Sequence, residues 1–580
     1  MERCREMDFV SRASNRRALT KLPAVFLLFL LAVHAPAADT DLAKRASQLA
    51  QQQQWKQVIY LIEPVQARSP DLQFYYGIAL AQVGRLDDAR NALLAGARAQ
   101  PRDKRFPLEL GGVAFKQKLY PEAVRYLRRA VELDPGDAYA NEFLATVYFL
   151  QGNLDTALKY WNRVGKPRIA EVRLEPVPRL NPALLDRAFA FSPASILRAA
   201  ELRTTDVRVR GLEIFPSYRF ELVARQDEKY HIVFHNKERN GLGQNKKEAL
   251  FRIFRGLPFQ TLHLEVFNLG QKAQNLISFY RWDAEKRRVL AQFSAPFAGN
   301  PKYSYQLMTD LRGENWNIQS SFRGPTTLLG SLNMRRAALG FNFSSFASGR
   351  WQWSTGAEIS HRDFRSVIPG VALTPELLVK AYQLKQLSKL DVSLWRFPER
   401  RLTLDSTISS QAGRLWSEPQ HSFEKLQSAL RLQWFPKSQG DDYEINHQIR
   451  AGKTFGELPF DELYMFGIQR DNELWMRGHI ATRDGRKGSG PLGRNYFLSN
   501  FEADKNVYRK GPFDVQAGPF LDTGKIMDPI PGLGSHKWLW DIGPQLKVRA
   551  YGVGITVSYG KDLRSGNNAF YVTMLRESGH

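Results

Sequence analysis

An arginine and an aspartate in the carboxyl-terminal half of the chain are placed to form a charge-assisted pair. Arg477 begins a long glycine-rich connection that runs to Asn495 between segments that alternate like β-strands. Asp522 ends another alternating run. A guanidinium is planar and always charged, so it can bond a carboxylate through two parallel N–H groups. If the connection folds inward, Arg477 can reach Asp522; the alternative is an exposed arginine and an unrelated turn acid.

The residues from about 261 onward have the alternation that this pairing needs. Segments 351–360, 425–434, 443–450 and 551–560 alternate apolar with polar residues. A soluble sandwich shows the same period. Charged polar faces, strands close to the ~9–11 residues of a tilted membrane crossing, and a long run without helices favour a membrane barrel. We therefore predict an antiparallel β-barrel over residues 261–580, closed because lipid offers no partner to backbone amides, with about 16 strands.

Two motifs of this region resemble those of the outer-membrane insertase and translocase superfamily that includes BamA, TamA and the two-partner secretion pores. Residues 474–479 (Leu-Trp-Met-Arg-Gly-His) resemble its (V/L)RG(F/Y) loop, and residues 520–524 (Phe-Leu-Asp-Thr-Gly) look like its F-x-D-x-G strand. The resemblance implies an arginine on a lumen loop that is received by an acid on the wall. It makes candidates of Arg477, Gly478, Phe520, Asp522 and Gly524. His479 departs from the family, which has an aromatic residue there.

The first 38 residues have the pattern of a secretory signal. Basic residues precede an apolar core over residues 22–33, and small residues follow at 35–37. The alternative is an uncleaved anchor. The single cysteine, Cys4, precedes the core, so an exported, cleaved chain would have no disulfide and no thiolate metal site. We expect neither a metal nor a cofactor.

Residues 39–169 repeat with a period of 34, the length of a tetratricopeptide unit. We predict an α-solenoid in which small residues recur where paired helices cross. The predicted packing positions are Gly77, Gly84, Ala89, Gly111, Ala123, Ala145, Gly152 and Ala157. Such a solenoid would bind a client or partner protein on its concave face; the alternative is a rigid spacer.

Residues 170–260 join the predicted solenoid to the predicted barrel. Several prolines over residues 170–204 indicate a connector. Two alternating runs, 218–223 and 230–235, precede a helical pattern at 247–255. They predict either a small α/β module like the periplasmic POTRA domains of the superfamily or the first hairpin of the barrel. The fold class predicted for the whole chain is multidomain α+β, a helical solenoid followed by a barrel.

The charge of the chain limits its partners. Lys and Arg number 82 against 58 Asp and Glu, a net charge of +24. The basic residues are spread along an exported chain without a compact basic motif, so we expect no nucleic acid. Attraction to the lipid of the outer membrane or to an acidic passenger fits better.

The resemblance implies a barrel in the outer membrane of a Gram-negative bacterium, with its N-terminal domain in the periplasm. Such proteins assemble or translocate other proteins without catalysis. The resemblance is also compatible with partner subunits in the periplasm or in the outer membrane. One alternative is an export pore for an acidic exopolysaccharide, with an open basic lumen. Another is a surface-lipoprotein translocator without the loop pairing. The sequence has no metal-ligand spacing of histidines, no phosphate loop and no nucleophile elbow, so an enzyme is not expected.

Overall fold

The computed structural model describes residues 36–225, 227, 229–243, 246–319, 328–368, 373, 377–437, 440–511, 513–528, 537–550 and 553–575. The predicted signal, apart from its last three residues, and Cys4 lie outside this set. The chain divides into two compact units after Pro135. Each unit is described by itself.

The described part of the first unit, residues 36–135, contains six helices that pack in pairs. Contacts within the pairs join α3 to α4 and α5 to α6. Leu72, Leu93 and Phe106 are fully buried in its core. The helices are α1 (Pro36–Gln51), α2 (Trp55–Ile62), α3 (Pro70–Gln82), α4 (Leu86–Ala99), α5 (Arg105–Lys116) and α6 (Tyr120–Leu133).

Small residues allow these helix pairs to approach closely. A Cβ atom on Gly77 would lie 2.6 Å from Cγ of Leu93, and one on Gly111 would lie 2.7 Å from Cγ of Leu127. Ala89 and Ala123, on the second helix of each pair, have no exposed surface. The close approach therefore depends on side chains no larger than these at the crossing.

Gly84 and Gly152 do not lie at helix crossings, and their prediction as packing positions is wrong. A Cβ atom on either would meet nothing within 4 Å. Both have left-handed backbone, with φ of 88° and 77°, and Lys118, at the same place in the intervening repeat, has φ of 60°. A 34-residue period repeats the turn between helices as well as the crossing, and that turn favours glycine because it requires positive φ.

The second unit begins with the pair α7 (Ala138–Leu150) and α8 (Leu154–Trp161), where Ala145 and Ala157 are fully buried. A three-stranded sheet follows in the order β1-β3-β2, with β1 parallel and β2 antiparallel to β3. The hairpin of β2 and β3 therefore belongs to a separate sheet and not to the barrel. The elements are β1 (Arg168–Glu175), α9 (Pro182–Ala188), α10 (Ala199–Gly211), β2 (Ser217–Ala224), β3 (Lys229–Lys237) and α11 (Lys246–Phe254).

The long strands from β4 onward form a closed barrel in which strands that follow one another along the chain are antiparallel, β13 pairs directly with β18, and β22 adjoins β4. Fifteen strands of eight residues or more are described, one fewer than the expected number, and the segment before β4 forms α11, which packs on β4. The long strands are β4 (Thr261–Leu269), β5 (Gln274–Trp282), β6 (Lys286–Phe297), β7 (Asn300–Gln319), β8 (Leu328–Ser345), β9 (Trp351–Ile368), β10 (Ala381–Phe397), β11 (Leu402–Trp416), β12 (His421–Trp434), β13 (Tyr443–Gly456), β18 (Asn495–Lys510), β19 (Phe513–Met527), β20 (Leu539–Ala550), β21 (Val553–Asp562) and β22 (Asn568–Leu575).

The two faces of the barrel differ in chemistry. Large apolar side chains such as Leu311, Leu339 and Ile408 are exposed on the outer face. Asp310 and Arg336, on the inner face, are buried. A sheet with an apolar outer band and a polar interior suits a lipid environment. Within the described residues, no helix is both long and apolar enough to cross a membrane.

The connection between β13 and β18 folds into the lumen. It begins at Glu457, so Arg477 lies in its middle and not at its start as the sequence indicated. Phe460, Phe466 and Met476 of this lumen loop are fully buried. Four two-residue strands interrupt it: β14 (Tyr464–Met465), β15 (Thr482–Arg483), β16 (Arg486–Lys487) and β17 (Leu492–Gly493).

Candidate functional site

The tip of the lumen loop is held by a pair between Arg477 and Asp522. Nε of Arg477 donates to Oδ2 of Asp522 at 2.9 Å, and Nη2 donates to Oδ1 at 2.6 Å. The backbone N–H of Arg477 donates to the same Oδ2 at 2.9 Å. Arg477 is 1% exposed and Asp522 is fully buried. One carboxylate on β19 thus fixes both the side chain and the backbone of the tip.

The rest of the guanidinium is also occupied. Nη1 of Arg477 donates to Oε1 of Glu502 at 2.5 Å and to Oε1 of Gln545 at 2.7 Å. Its Cζ lies 3.9 Å from the centre of the Phe520 ring. Strands β18, β19 and β20 therefore all contribute to the binding of one arginine, and the stacked ring adds a cation–π contact.

Two glycines allow the tip to lie against the wall. A Cβ atom on Gly478 would be 2.7 Å from Cγ of Asp541, and the backbone N–H of Gly478 donates to that carboxylate at 2.6 Å. A Cβ atom on Gly524 would be 2.8 Å from Cε2 of Phe466 on the loop. Gly560, which the sequence did not single out, approaches the loop more closely than Gly524 does, because its Cβ would be 2.1 Å from the carbonyl oxygen of Arg477.

His479 lies between two buried carboxylates. Its Nδ1 is 3.0 Å from Oδ2 of Asp541 and its Nε2 is 3.6 Å from Oδ2 of Asp562. Burial lowers the pKa of His479, but the bond to Asp541 and the charges of Asp562 and Asp522 raise it above its usual value. Ligand atoms of His479, Asp541 and Asp562 lie within 4.8 Å of one another, so these side chains could hold either a proton or a divalent cation.

Two acids near the start of the lumen loop bind a basic wall. Asp461 lies 3.1 Å from Arg362 and 3.3 Å from Arg336. Glu462 lies 3.1 Å from Lys385 and 3.2 Å from Lys425. These four cations come from β8, β9, β10 and β12. They hold the loop on the side of the barrel where it enters.

A third ion-pair cluster lies on the segment of the loop between Glu462 and the tip at Arg477. Oδ2 of Asp471 on the loop is 2.7 Å from Nη1 of Arg281 and 2.8 Å from Nζ of Lys286. Burial raises the pKa of Asp471, but the charges of Lys286 and Arg281 outweigh it and hold the pKa below its usual value. Because these cations lie on β5 and β6, the loop is bound at points around the whole barrel.

The charges of loop and wall are complementary. Loop acids meet a wall rich in lysine and arginine on β5 to β12, while the loop bases Arg477 and His479 meet acids on β18 to β21. Sequence reasoning found Arg477 and Asp522 but missed the other residues that bind the loop to the wall. The missed residues are Asp461, Glu462, Asp471, Glu502, Asp541, Gln545 and Asp562. For Glu502, Asp541, Gln545 and Asp562, an inward-facing strand position was the available signal, but only the fold shows which of them meet the loop.

Comparisons with known proteins give one family match and several similar structures. Residues 76–138 and 119–168 match the tetratricopeptide repeat family. None of the curated proteins matches the chain. The chain is similar to BamA from Haemophilus ducreyi lacking POTRA domains 1 to 3, with 11% identity, coverage of 70% of this chain and 82% of that one, and a TM-score of 0.41.

Two further solved structures are similar to parts of the chain. CdiB from Escherichia coli has 13% identity, covers 70% of this chain and 76% of its own, and gives a TM-score of 0.46. The structure of MamA has 17% identity, covers 22% of this chain and 78% of its own, and gives a TM-score of 0.21. The fold and the site together define a closed β-barrel with a bound lumen loop, preceded by tetratricopeptide repeats.

Proposed function

We propose that this protein assembles or translocates other proteins at the outer membrane of a Gram-negative bacterium, and that it is not an enzyme. The apolar outer face supports a position in lipid, and the helical repeats support a periplasmic arm that binds a client or passenger. The mixed sheet of β1, β2 and β3 with α9 and α10 supports the interpretation of residues 170–260 as a POTRA-like module.

The observation that carries the proposal is the bidentate, buried pair between Arg477 and Asp522. It keeps a loop of nearly forty residues, 457–494, inside the lumen. An export pore for an acidic polysaccharide needs an open lumen lined with unpaired cations. In this barrel the inward cations Arg336, Lys385 and Lys425 are paired with loop acids. The pair between Arg477 and Asp522 also argues against the alternative of a surface-lipoprotein translocator, which would lack this loop pairing.

The proposal is tested in the native bacterium by comparing strains with the wild-type gene, a deletion, Arg477→Ala, and Arg483→Ala, which alters an exposed arginine of the same loop. Quantitative proteomics of the outer membrane and the medium is the measurement. We expect the deletion and Arg477→Ala to deplete the same client proteins, while Arg483→Ala does not. A deletion that changes the surface polysaccharide and leaves every protein level intact would contradict the proposal.

A further inference from the structure

A cavity of about 510 Å³ lies within the second unit, at the end of the barrel that carries the short turns. It is bounded by the turn between α7 and α8, by α10, and by the turns that follow β10 and β12. Three arginines from separate elements line it: Arg203, Arg396 and Arg401. Because like charges repel, three guanidinium groups that line one cavity would be stabilised by a bound anion.

Arg203 shows the strongest need for a counterion. Over the described residues, its side chain makes no hydrogen bond and no ion pair. It is half-buried, and burial together with the neighbouring charge of Arg396 lowers its pKa. A desolvated, unpaired guanidinium destabilises the fold, and a bound anion would remove that penalty.

The other two arginines have neutral partners. Nε of Arg396 donates to Oγ of Ser393 at 2.9 Å. Nη1 of Arg401 donates to the carbonyl oxygen of Lys437 at 3.2 Å, and its Cζ lies 4.9 Å from the centre of the Phe435 ring. Among the described residues, neither arginine forms an ion pair with a carboxylate, and Asp441, whose charge acts on Arg401, is paired with Arg509.

Two acidic residues in the lining do not neutralise the three arginines. Asp206 already accepts a hydrogen bond from the hydroxyl of Tyr218 at 2.6 Å and is paired with Arg210. Asp155 raises the pKa of Arg203 through its charge but makes no ion pair within the described part of the chain. The lining therefore keeps an excess of positive charge.

The direction of Arg396 shows where the cavity opens. Trp395 and Phe397, on either side of it, are 62% and 49% exposed and point outward. Adjacent strand residues point to opposite faces, so Arg396 points inward. Its register partner Thr403 and the next residue across, Gln433, line the same cavity. The ligand therefore comes from the mouth of the barrel and not from the lipid side.

We propose that this arginine cavity binds the carboxylate side chains of an acidic, extended segment of the passenger polypeptide as it enters the barrel. The inference rests on the proposed function and names the chemistry of its substrate. Leu202, Phe220 and Pro398 complete the lining, so the methylene groups of a Glu side chain find apolar contacts beside the guanidinium groups. Arginine suits the carboxylate through bidentate hydrogen bonds.

The test uses the full-length protein in nanodiscs of zwitterionic lipid, so that anionic lipid cannot contribute. The probe is an unstructured 20-residue Gly/Ser peptide with four Glu, compared with the same peptide carrying Gln at those positions. Calorimetry at low and high salt measures binding. We expect the Glu peptide alone to bind, and Arg203→Gln or Arg396→Gln to weaken it about tenfold, the loss of one charge-assisted contact.

Arg198→Gln is the matched control, because it removes the same charge from an exposed position at the start of α10. Arg203→Glu provides a gain of signal that loss of folding cannot mimic, since it should shift preference to a Lys-containing peptide. Equal binding of the Glu and Gln peptides, or unchanged binding by the Arg203 and Arg396 variants, would overturn the inference. So would arginine-dependent binding of an oligogalacturonate alone. Because binding is measured without secretion, its failure would leave the proposed function standing.

Discussion

The backbone amide and the guanidinium of Arg477 bond the same carboxylate, that of Asp522. Side-chain pairing alone would tolerate some displacement of the loop, but the shared carboxylate fixes the tip to within hydrogen-bond distance of β19. Glu502 and Gln545 accept hydrogen bonds from the remaining nitrogen. Asp522 also accepts a hydrogen bond from Nδ2 of Asn500 on β18, so the wall itself orients the carboxylate that receives the tip.

Replacing Arg477 with Lys should release the tip although the charge remains. A single ammonium cannot reproduce the bidentate pair with Asp522 and the bonds to Glu502 and Gln545. We expect a loss of about 2–3 kcal/mol in the free energy of docking the tip, because the fully buried Asp522 loses charge-assisted hydrogen bonds that Lys cannot replace. Limited proteolysis of folded protein in nanodiscs measures it through cleavage within the loop. Arg483→Lys is the control, and equal protection of the two variants would contradict the prediction.

Arg477 and Asp522 each lie within a short motif that resembles those of a known superfamily, and that resemblance predicted their pairing. The start of the lumen loop was not predicted in the same way. The apolar residues Phe460 and Phe466 give the first part of the loop the composition of a strand. Only the fold shows that they face the interior of the barrel. In the same way, the 34-residue period identified both Gly77, at a helix crossing, and Gly84, in a turn. It could not distinguish the two places, because crossings and turns recur with the same period.

Gly478→Ala should disturb the site while Gly313→Ala should not. A Cβ atom at Gly478 would be 2.7 Å from Cγ of Asp541 and from the amide nitrogen of Asp562, so either the wall or the tip must move. At Gly313 of β7 the nearest heavy atom would be 3.9 Å away, an ordinary contact. We expect Gly478→Ala to lower client assembly and to increase cleavage of the loop. Equal client assembly and equal loop cleavage in the two alanine variants would contradict the prediction, because they would show that a Cβ atom fits at Gly478.

Removal of Glu462 should destabilise the barrel itself. Its carboxylate neutralises Lys385 and Lys425, both nearly fully buried, and lies 3.5 Å from Arg336. Glu462→Ala removes the carboxylate paired with Lys425 and leaves Lys385 with the more distant Glu358, at a cost of about 3–5 kcal/mol in the free energy of unfolding. The measurement is the urea midpoint of the folded band in semi-native electrophoresis. Glu473→Ala removes an exposed acid of the same loop and serves as the control; a midpoint for Glu462→Ala equal to that of the control would refute the prediction.

These basic residues on the wall illustrate what sequence alone leaves open. Each of Arg336, Lys385 and Lys425 has an inward position in an alternating strand, and such a position is typical both of an open basic pore and of a barrel filled by an acidic loop. The difference lies in long-range contacts between residues 37 to 126 positions apart, as in the pairs of Glu462 with Lys425 and Arg336. No local pattern encodes those contacts.

The contact of α8 with the turn after β10 should weaken in acid. Glu399 accepts hydrogen bonds from Nζ of Lys159 and from the hydroxyl of Tyr160, the latter at 3.2 Å. Burial raises the pKa of Glu399, but the bonds with Lys159 and Tyr160 outweigh it and lower the pKa below 4.5. A carboxyl whose pKa is lowered on folding stabilises the fold above its unfolded pKa, and the contribution disappears as the pH falls through the folded value. We expect Glu399→Gln to reduce stability by about 1 kcal/mol at pH 7, since Lys159 is partly exposed, and by less as the pH drops from 4.5. Thermal unfolding of both proteins followed by tryptophan fluorescence from pH 7 to pH 3 measures the difference, and a difference that does not change with pH would exclude ionised Glu399 as its source.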